Sequence, residues 1–484
     1  MKAYFYFFIS VFFGLNTLLT PTILYAQDTH HWSQQFGTRA ALLGGAVLTD
    51  TLDNAGVYYN PGNLAFLDTS SISINANLYG LENITIENAL GEREDFRGLQ
   101  FNTIPLLISG TIRNKSPWNL SYALITPVSF QFNGVARLER DFDLIDDQES
   151  PGLEELVSET SLTTSVQETT VILGIGRKIK PNLGFGISLL NTYRSVNFNY
   201  RFNAKTFSNT ENEFLVSRAQ NEIVNYWALR TALKIGLNYQ KEGWGLAAAV
   251  QSPGIDWMGS GTVAEDITIT NLIVREGGDR ITAFGSDRQE KLKTTYKSPF
   301  QISIGAHKKF HRSILSINLT QFGQINPYRV ISVEPNEFFR PTFPELEGQG
   351  SQDYLNVETA MKPVTNVAIG YEGFIGQSFK LLGSFRTDFS YFDSSPVRGE
   401  QIVTEITQWD IFHVSAGTVW EKERSSLTLG LVYSFGSTDD YIQENSFSNS
   451  NPNPPLEGAL AITRAGYSNF GLLIGYSFRF QKFN

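Results

Sequence analysis

Between Asn469 and Gln481 the side chains alternate without a slip. Phe470, Leu472, Ile474, Tyr476, Phe478 and Phe480 fall at one parity; Asn469, Gly471, Leu473, Gly475, Ser477, Arg479 and Gln481 fall at the other. A β-strand turns successive side chains to opposite faces. One face of this strand is therefore apolar and aromatic, and the other is small or polar apart from Leu473. The pattern recurs. Leu427, Leu429, Leu431, Tyr433 and Phe435 oppose Ser426, Thr428, Gly430, Val432, Ser434 and Gly436, and Leu183, Phe185, Ile187 and Leu189 oppose Gly184, Gly186, Ser188 and Leu190. Recurrence at this strictness predicts a transmembrane β-barrel with lipid outside and a polar lumen.

Composition agrees. Hydrophobic residues are 41% of the 484 and mean hydropathy is −0.16, too polar for a helical membrane protein of this length. A barrel tolerates it, because only alternate residues face lipid. The 36 Phe and 20 Tyr suit interfacial girdles. A net charge of −10 argues against nucleic acid as a partner. Cysteine is absent, so there is no disulfide framework or thiolate metal site.

Residues 1–26 read as a signal peptide: Lys2 is the positive end, Tyr4 to Leu19 is mostly apolar, and Leu24-Tyr25-Ala26 offers a cleavage site before Gln27. Strands are expected near 70–79, 99–113, 118–131, 168–179, 182–200, 221–239, 243–252, 298–309, 313–322, 357–373, 378–391, 405–420, 425–436 and 466–482, with Pro105 interrupting the second. Six short connections alternate with seven long ones, near 80–98, 132–167, 201–220, 253–297, 323–356, 392–404 and 437–465. The expected fold class is all-β: an antiparallel transmembrane barrel of about 14 strands over residues 70–484. Its location is expected to be the bacterial outer membrane, crossed many times.

Residues 27–69 break the rhythm. Gly37 to Ala46 is small and glycine-rich, and Tyr58-Tyr59-Asn60-Pro61-Gly62-Asn63-Leu64-Ala65 follows. The run is too short for a separate domain. A lumen this wide is not filled by wall side chains alone, so a plug is the expected role. Here the chain resembles the FadL/TodX family of outer-membrane transport proteins. Asn60, Pro61, Leu64 and Ala65 match the family's Asn-Pro-Ala-Gly-Leu-Ala hatch signature, while Gly62 and Asn63 exchange the small residue and the glycine. Ile104-Pro105 and Leu120 to Val128 look like the family's second and third strands. The resemblance implies a 14-stranded barrel with an N-terminal hatch, 27–69, that passes fatty acids or aromatic hydrocarbons. It also implies a kink in the third strand opening the wall sideways, for which Pro127 is the candidate.

An amphipathic ligand needs an apolar groove for its body and a cation for an acidic head. Arg230, Lys234 and Arg386 have inward parity, as do the acids Glu372 and Asp388 that would compete for them. Phe214 and Leu215 in the third long loop, with Trp257 and Met258 in the fourth, are candidates for a ligand-gathering groove. The acidic stretch Asp141 to Glu155 lacks the spacing of a calcium loop and reads as a solvated loop. His30-His31 lies at the start of the mature chain, where a free end is expected. No Gly-x-Ser-x-Gly elbow or His-Glu-x-x-His motif is present. The expectation is a passive channel for hydrophobic small molecules, not an enzyme, with no cofactor or metal. Its partners are a hydrophobic ligand and outer-membrane lipid. The alternative is a relative of the same family that holds secreted cargo proteins at the cell surface.

Overall fold

The computed structural model describes residues 28–51, 54–102, 106–113, 116–273, 279–336, 350–376, 378–394, 402–442, 447, 450–451, 456–458 and 462–480. The expected signal peptide, Ile104-Pro105 and the last four residues lie outside the described residues.

Fourteen antiparallel strands close into a barrel. They are β1 (Ser71–Ile86), β2 (Phe96–Asn102 and Leu106–Ile112), β3 (Asn119–Ile125 and Ser129–Phe142), β4 (Glu154–Lys180), β5 (Leu183–Phe207), β6 (Leu215–Lys241) and β7 (Trp244–Gln251 and Ile255–Ile273). The wall continues with β8 (Arg280–Lys293 and Gln301–Lys309), β9 (Ser313–Phe322), β10 (Val364–Ile375), β11 (Phe379–Asp388), β12 (Ile411–Glu421), β13 (Ser425–Ile442) and β14 (Ile462–Arg479). β14 returns to β1, pairing Ser71 with Arg479 and Ile86 with Ala465, so the sheet has no free edge. Every strand pairs with its sequence neighbour, as the short and long connections require.

The strands differ from expectation in length. β4, β5 and β6 run 27, 25 and 27 residues, where roughly 9–11 cross a bilayer. Much of what reads as long loops at 132–167, 201–220 and 253–297 is therefore strand. The reason is a change of hydrophobic face. On β4 the outward Val171, Leu173 and Ile175 are exposed, whereas further out the inward Leu156, Leu162 and Val166 are buried. The belt that faces lipid is apolar outside; the extension beyond it is apolar inside. There the tall strands enclose a core with Phe130, Phe132, Phe198 and Phe202. The opposite side of the barrel is short, with β9–β12 spanning 10 to 12 residues. Its connections supply Val330, Ile331, Val357, Ile402, Ile406 and Trp409 to the same core. The acidic stretch is not wholly solvated either. Glu154 is buried and accepts hydrogen bonds from Leu144 N (2.9 Å), Ile145 N (3.2 Å) and Ser150 Oγ (2.5 Å).

The wall is interrupted where β3 lacks strand geometry at 126–128, β7 at 252–254 and β8 at 294–300. In β3 the pairing to β4 shifts by one residue, from Ile125 opposite Thr170 to Ser129 opposite Gln167. Three residues, Thr126, Pro127 and Val128, thus face two, a bulge at the position of the proline.

Residues 28–67 lie inside the lumen. Helical turns from Gly37 to Gly45 lead to one α-helical turn, α1 (Gly56–Tyr59), and a 3-10 helix, Pro61–Phe66. The wall makes room for this segment by omission. Inward glycines on eight strands meet it directly: a β-carbon at Gly174 would fall 2.6 Å from Val57, at Gly176 2.7 Å from Leu64, at Gly305 2.8 Å from Leu48 and at Gly475 2.9 Å from Thr38. Gly186 abuts Pro61, Gly236 abuts Asn60, Gly370 abuts Leu43, and Gly417 and Gly430 both abut Leu42.

Candidate binding site

The run 60–65 is a docking element. Asn60 caps the 3-10 helix, its Oδ1 accepting from Gly62 N at 3.0 Å. Its Nδ2 donates to Leu48 O (2.9 Å) and to Leu237 O (3.0 Å) on β6. The two residues that depart from the family signature have clear local roles. Gly62 lies so close to β6 that a β-carbon would sit 2.9 Å from Gly236 O, and Asn63 Oδ1 accepts from Asn238 Nδ2 at 2.6 Å. Leu64 is buried, and Asn119 Nδ2 donates to Leu64 O at 2.6 Å. Ala65 is buried beside Gly184.

Outward of this element is a cavity of about 110 Å³. One row of inward side chains crosses its wall. Glu168 on β4 lies opposite Arg194 on β5, and Arg230 on β6 lies opposite Thr192. Glu168 accepts from Arg194 Nη1 at 3.0 Å and from Arg230 Nη2 at 2.8 and 2.9 Å. All three are at least nine-tenths buried. Two cations share one carboxylate, which leaves a net positive charge; Arg230 Nη1 and Arg194 Nε have no hydrogen-bond partner among the described residues. The Arg194 guanidinium lies 3.7 Å from the centre of the Tyr296 ring, a cation–π contact. Tyr296 Oη and Tyr391 Oη are 3.2 Å apart.

The N-terminal segment forms the remaining side. His31 stacks between Phe322 (4.1 Å between centroids) and Tyr391 (4.5 Å). Burial pushes its pKa down to about 3, with Glu168 opposing and Arg230 reinforcing the shift. His30 is also pushed down to about 3 by burial, and its Nε2 lies 2.9 Å from Trp409 O. Asp28 accepts from Ile406 N at 2.7 Å and Thr407 N at 2.9 Å; burial nonetheless raises its pKa. Residues 28–31, where a free end was expected, are thus clasped. Tyr58 lines the floor, its hydroxyl pushed up to about 12 by burial.

The three candidate cations do not converge. Arg230 lines the cavity. Lys234 lies beneath Tyr58, donating Nζ to Tyr58 O at 2.8 Å with Nζ 4.8 Å from the ring centre. Arg386 donates to Ser33 O at 3.1 Å and lines a separate cavity of about 30 Å³ with Gln35, Ser434 and Asn469. The acids are engaged as well. Glu372 pairs with Arg39 of the segment and with Lys380 (3.3 Å), and Asp388 accepts from Trp32 N at 3.1 Å. Phe214 and Leu215 lie at the outer start of β6, with Phe214 against the outer core and 4.0 Å beneath Arg280. Trp257 and Met258 are not in an outer loop with them. They sit on β7 near the apolar belt, and Trp257 Nε1 donates to Thr231 Oγ1 at 2.9 Å. Ser252-Pro253-Gly254 carries a turn signal, but the wall strand resumes after it.

Pro127 and Val128 border the cavity, and Glu168 N donates to Val128 O at 2.8 Å. Sequence reasoning missed Glu168, Arg194, Tyr296, Tyr391 and His31 as site residues. Arg194 was accessible to it, since it shares the parity of Gly184, Gly186 and Ser188.

No known family profile matches the sequence, and no curated protein matches it. Solved structures do match in fold. The P. putida toluene transporter TodX is 12% identical, with 93% of this chain and 99% of that chain covered at a TM-score of 0.55. A Pseudomonas aeruginosa FadL homologue is 9% identical, with 95% and 100% covered at 0.55. The CymD monoaromatic hydrocarbon channel is 11% identical, with 94% and 99% covered at 0.53. This chain has the fold of the FadL/TodX barrels.

Proposed function

We propose that this protein is a passive outer-membrane channel for hydrophobic small molecules. The segment 27–69 is its hatch, and the bulge at Pro127 is a lateral exit. The observation that carries the reading is the cavity's position: it lies between the hatch residues His30 and His31 and the break at Pro127 and Val128. Three of the proteins similar in fold, TodX, CymD and TbuX, are named for toluene or monoaromatic hydrocarbon transport, which supports a lipophilic substrate. A volume of about 110 Å³ is on the order of the 150 Å³ cavity that holds benzene. In this state a single ring or short chain fits better than a full acyl chain. Arg230 offers a charge-assisted contact to a polar end, and the hatch yields only if ligand binds its displaced state more tightly.

The β3 register gives the test. Deleting Pro127 leaves two residues facing Glu168 and Thr169, so the ladder to β4 runs unbroken. Toluene uptake by cells carrying the deletion should fall several-fold while the barrel still folds, as judged by heat-modified gel mobility. Undiminished uptake would remove the exit at β3; an intact protein that moves no lipophile would remove the channel reading itself.

A further inference from the structure

Above Gln251 and Gln301 the ladder between β7 and β8 stops, and it resumes only at Ser260 and Lys293. Through this interval β7 keeps its pairing with β6, from Ile255 opposite Thr231 to Gly259 opposite Ala228. β8 does not follow. It turns inward and bonds to the connection that follows β9. Ser332 N donates to Lys293 O (2.9 Å), Thr295 N to Val330 O (2.9 Å) and Lys297 N to Tyr328 Oη (3.0 Å). Thr294 crosses the inner face of Gly259 and Gly261 and donates to Trp227 O at 2.7 Å. Neither glycine has space for a side chain there.

Little holds the seam shut. Gly254 N donates to Ser298 O at 3.4 Å, a long hydrogen bond, and Asp256 accepts one from the Tyr296 main chain. On the outside, Ile255 and Trp257 are 63% and 65% exposed, against 41%, 51%, 43% and 53% for Val250, Leu246, Ile302 and Ile304 where the strands are paired. The excess marks a missing neighbour on the β8 side. On the inside, Gln251, Lys297, Ser298, Pro299 and Gln301 line the same cavity that reaches Pro127. Asp256 lies opposite Arg230 in register, so the row from Glu168 through Arg194 and Arg230 ends at this seam.

We propose that the β7–β8 seam is a second lateral port, by which a lipophile dissolved in the bilayer exchanges with the lumenal cavity. The proposal rests on the channel reading. Its chemistry suits a molecule with an apolar body and one anionic end. Ile255, Trp257 and Met258 form an apolar sill, Lys297 stands at the mouth, and Arg230 lies behind it. Opening moves 294–300, a short stretch outside the ladder of β7.

The chain has no cysteine, so staples can be introduced cleanly. A Gly254→Cys/Ser298→Cys pair bridges the seam, because a β-carbon at Gly254 would lie 2.5 Å from Ser298 Oγ. A Val250→Cys/Ile302→Cys pair in the intact ladder is the control. The full chain is placed in liposomes containing a short-chain, diazirine-bearing carboxylic acid, and photolabelling of Tyr296 to Pro299 is read by mass spectrometry. Labelling should fall several-fold when the seam staple is oxidised, return on reduction, and persist with the control oxidised. Labelling that survives a closed seam staple, or is equally lost with the control, overturns the port. Seam-dependent labelling without net transfer across the membrane keeps the port and overturns the channel reading.

Discussion

His31 is the residue on which the docking of the chain's start turns. It sits between two aromatic rings with Nε2 buried and without a partner among the described residues. With His30 it is held neutral, both at about 3 against an ordinary 6.5. Between those values a released segment binds protons that the docked one does not, so docking weakens as pH falls through the window. Asp28 has the opposite sign, because burial raises it and its docked form takes up a proton on acidification. Glu405, raised by burial and by neighbouring Asp28, shares that sign, so the imidazole share is read against a His30→Gln/His31→Gln variant. Hydrogen-exchange protection of residues 28–36, corrected for intrinsic rate, should lose more between pH 7.5 and pH 5 in the parent than in that variant. An equal change in both proteins would show that the histidines do not govern docking.

At the scale of strands, the glycines form a girdle that receives the segment. Gly236 on β6 touches Asn60, and Gly186 on β5 touches Pro61. A branched side chain there has nowhere to go except into the docked helix, and overpacking costs about 1–3 kcal/mol. Gly236→Val should leave the barrel intact but expose residues 55–66 to protease. Protection equal to the parent would show that the segment is held elsewhere. The same strands explain what the sequence disclosed. Outward alternation on β13 and β14 located the wall and the strand count, because lipid demands apolar residues at one parity. The outer halves of β4–β6 escaped notice because most of their outward positions are polar or charged, among them Ser161, Thr163, Asn199, Arg201 and Asn221, while Leu156, Leu162, Val166, Phe198 and Val224 point inward. Trp257 was misplaced because Pro253-Gly254 marks a break inside a strand, not the start of a loop. Arg230 and Lys234 were assigned to the correct face by parity, but pairing of Arg230 with Glu168 depends on register across three strands, which one sequence does not state. Tyr296 comes from the break inside β8 and Tyr391 from a connection, and neither stretch has a periodicity to follow.

For the whole molecule, the decisive property is that the lumen is filled twice. The N-terminal segment occupies the girdle level, and the apolar core around Phe130 and Phe198 occupies the outer level. Removing residues 27–57 should clear most of the first and leave only the docked 58–67 there. In planar bilayers such a deletion should conduct ions where the intact protein does not, with currents limited by the outer core. An unchanged leak would argue that the segment blocks nothing.

Because β4–β6 rise so far above β9–β12, the canopy over the bore is cantilevered from one side. The tall strands are locked to one another along nearly their whole length, from Leu156 opposite Thr206 and from Phe207 opposite Leu215 downward. The stretches carrying Val330, Val357 and Trp409 merely lean against that mast. Any clearance toward the exterior should therefore come from the leaning stretches swinging away, while the mast stands still.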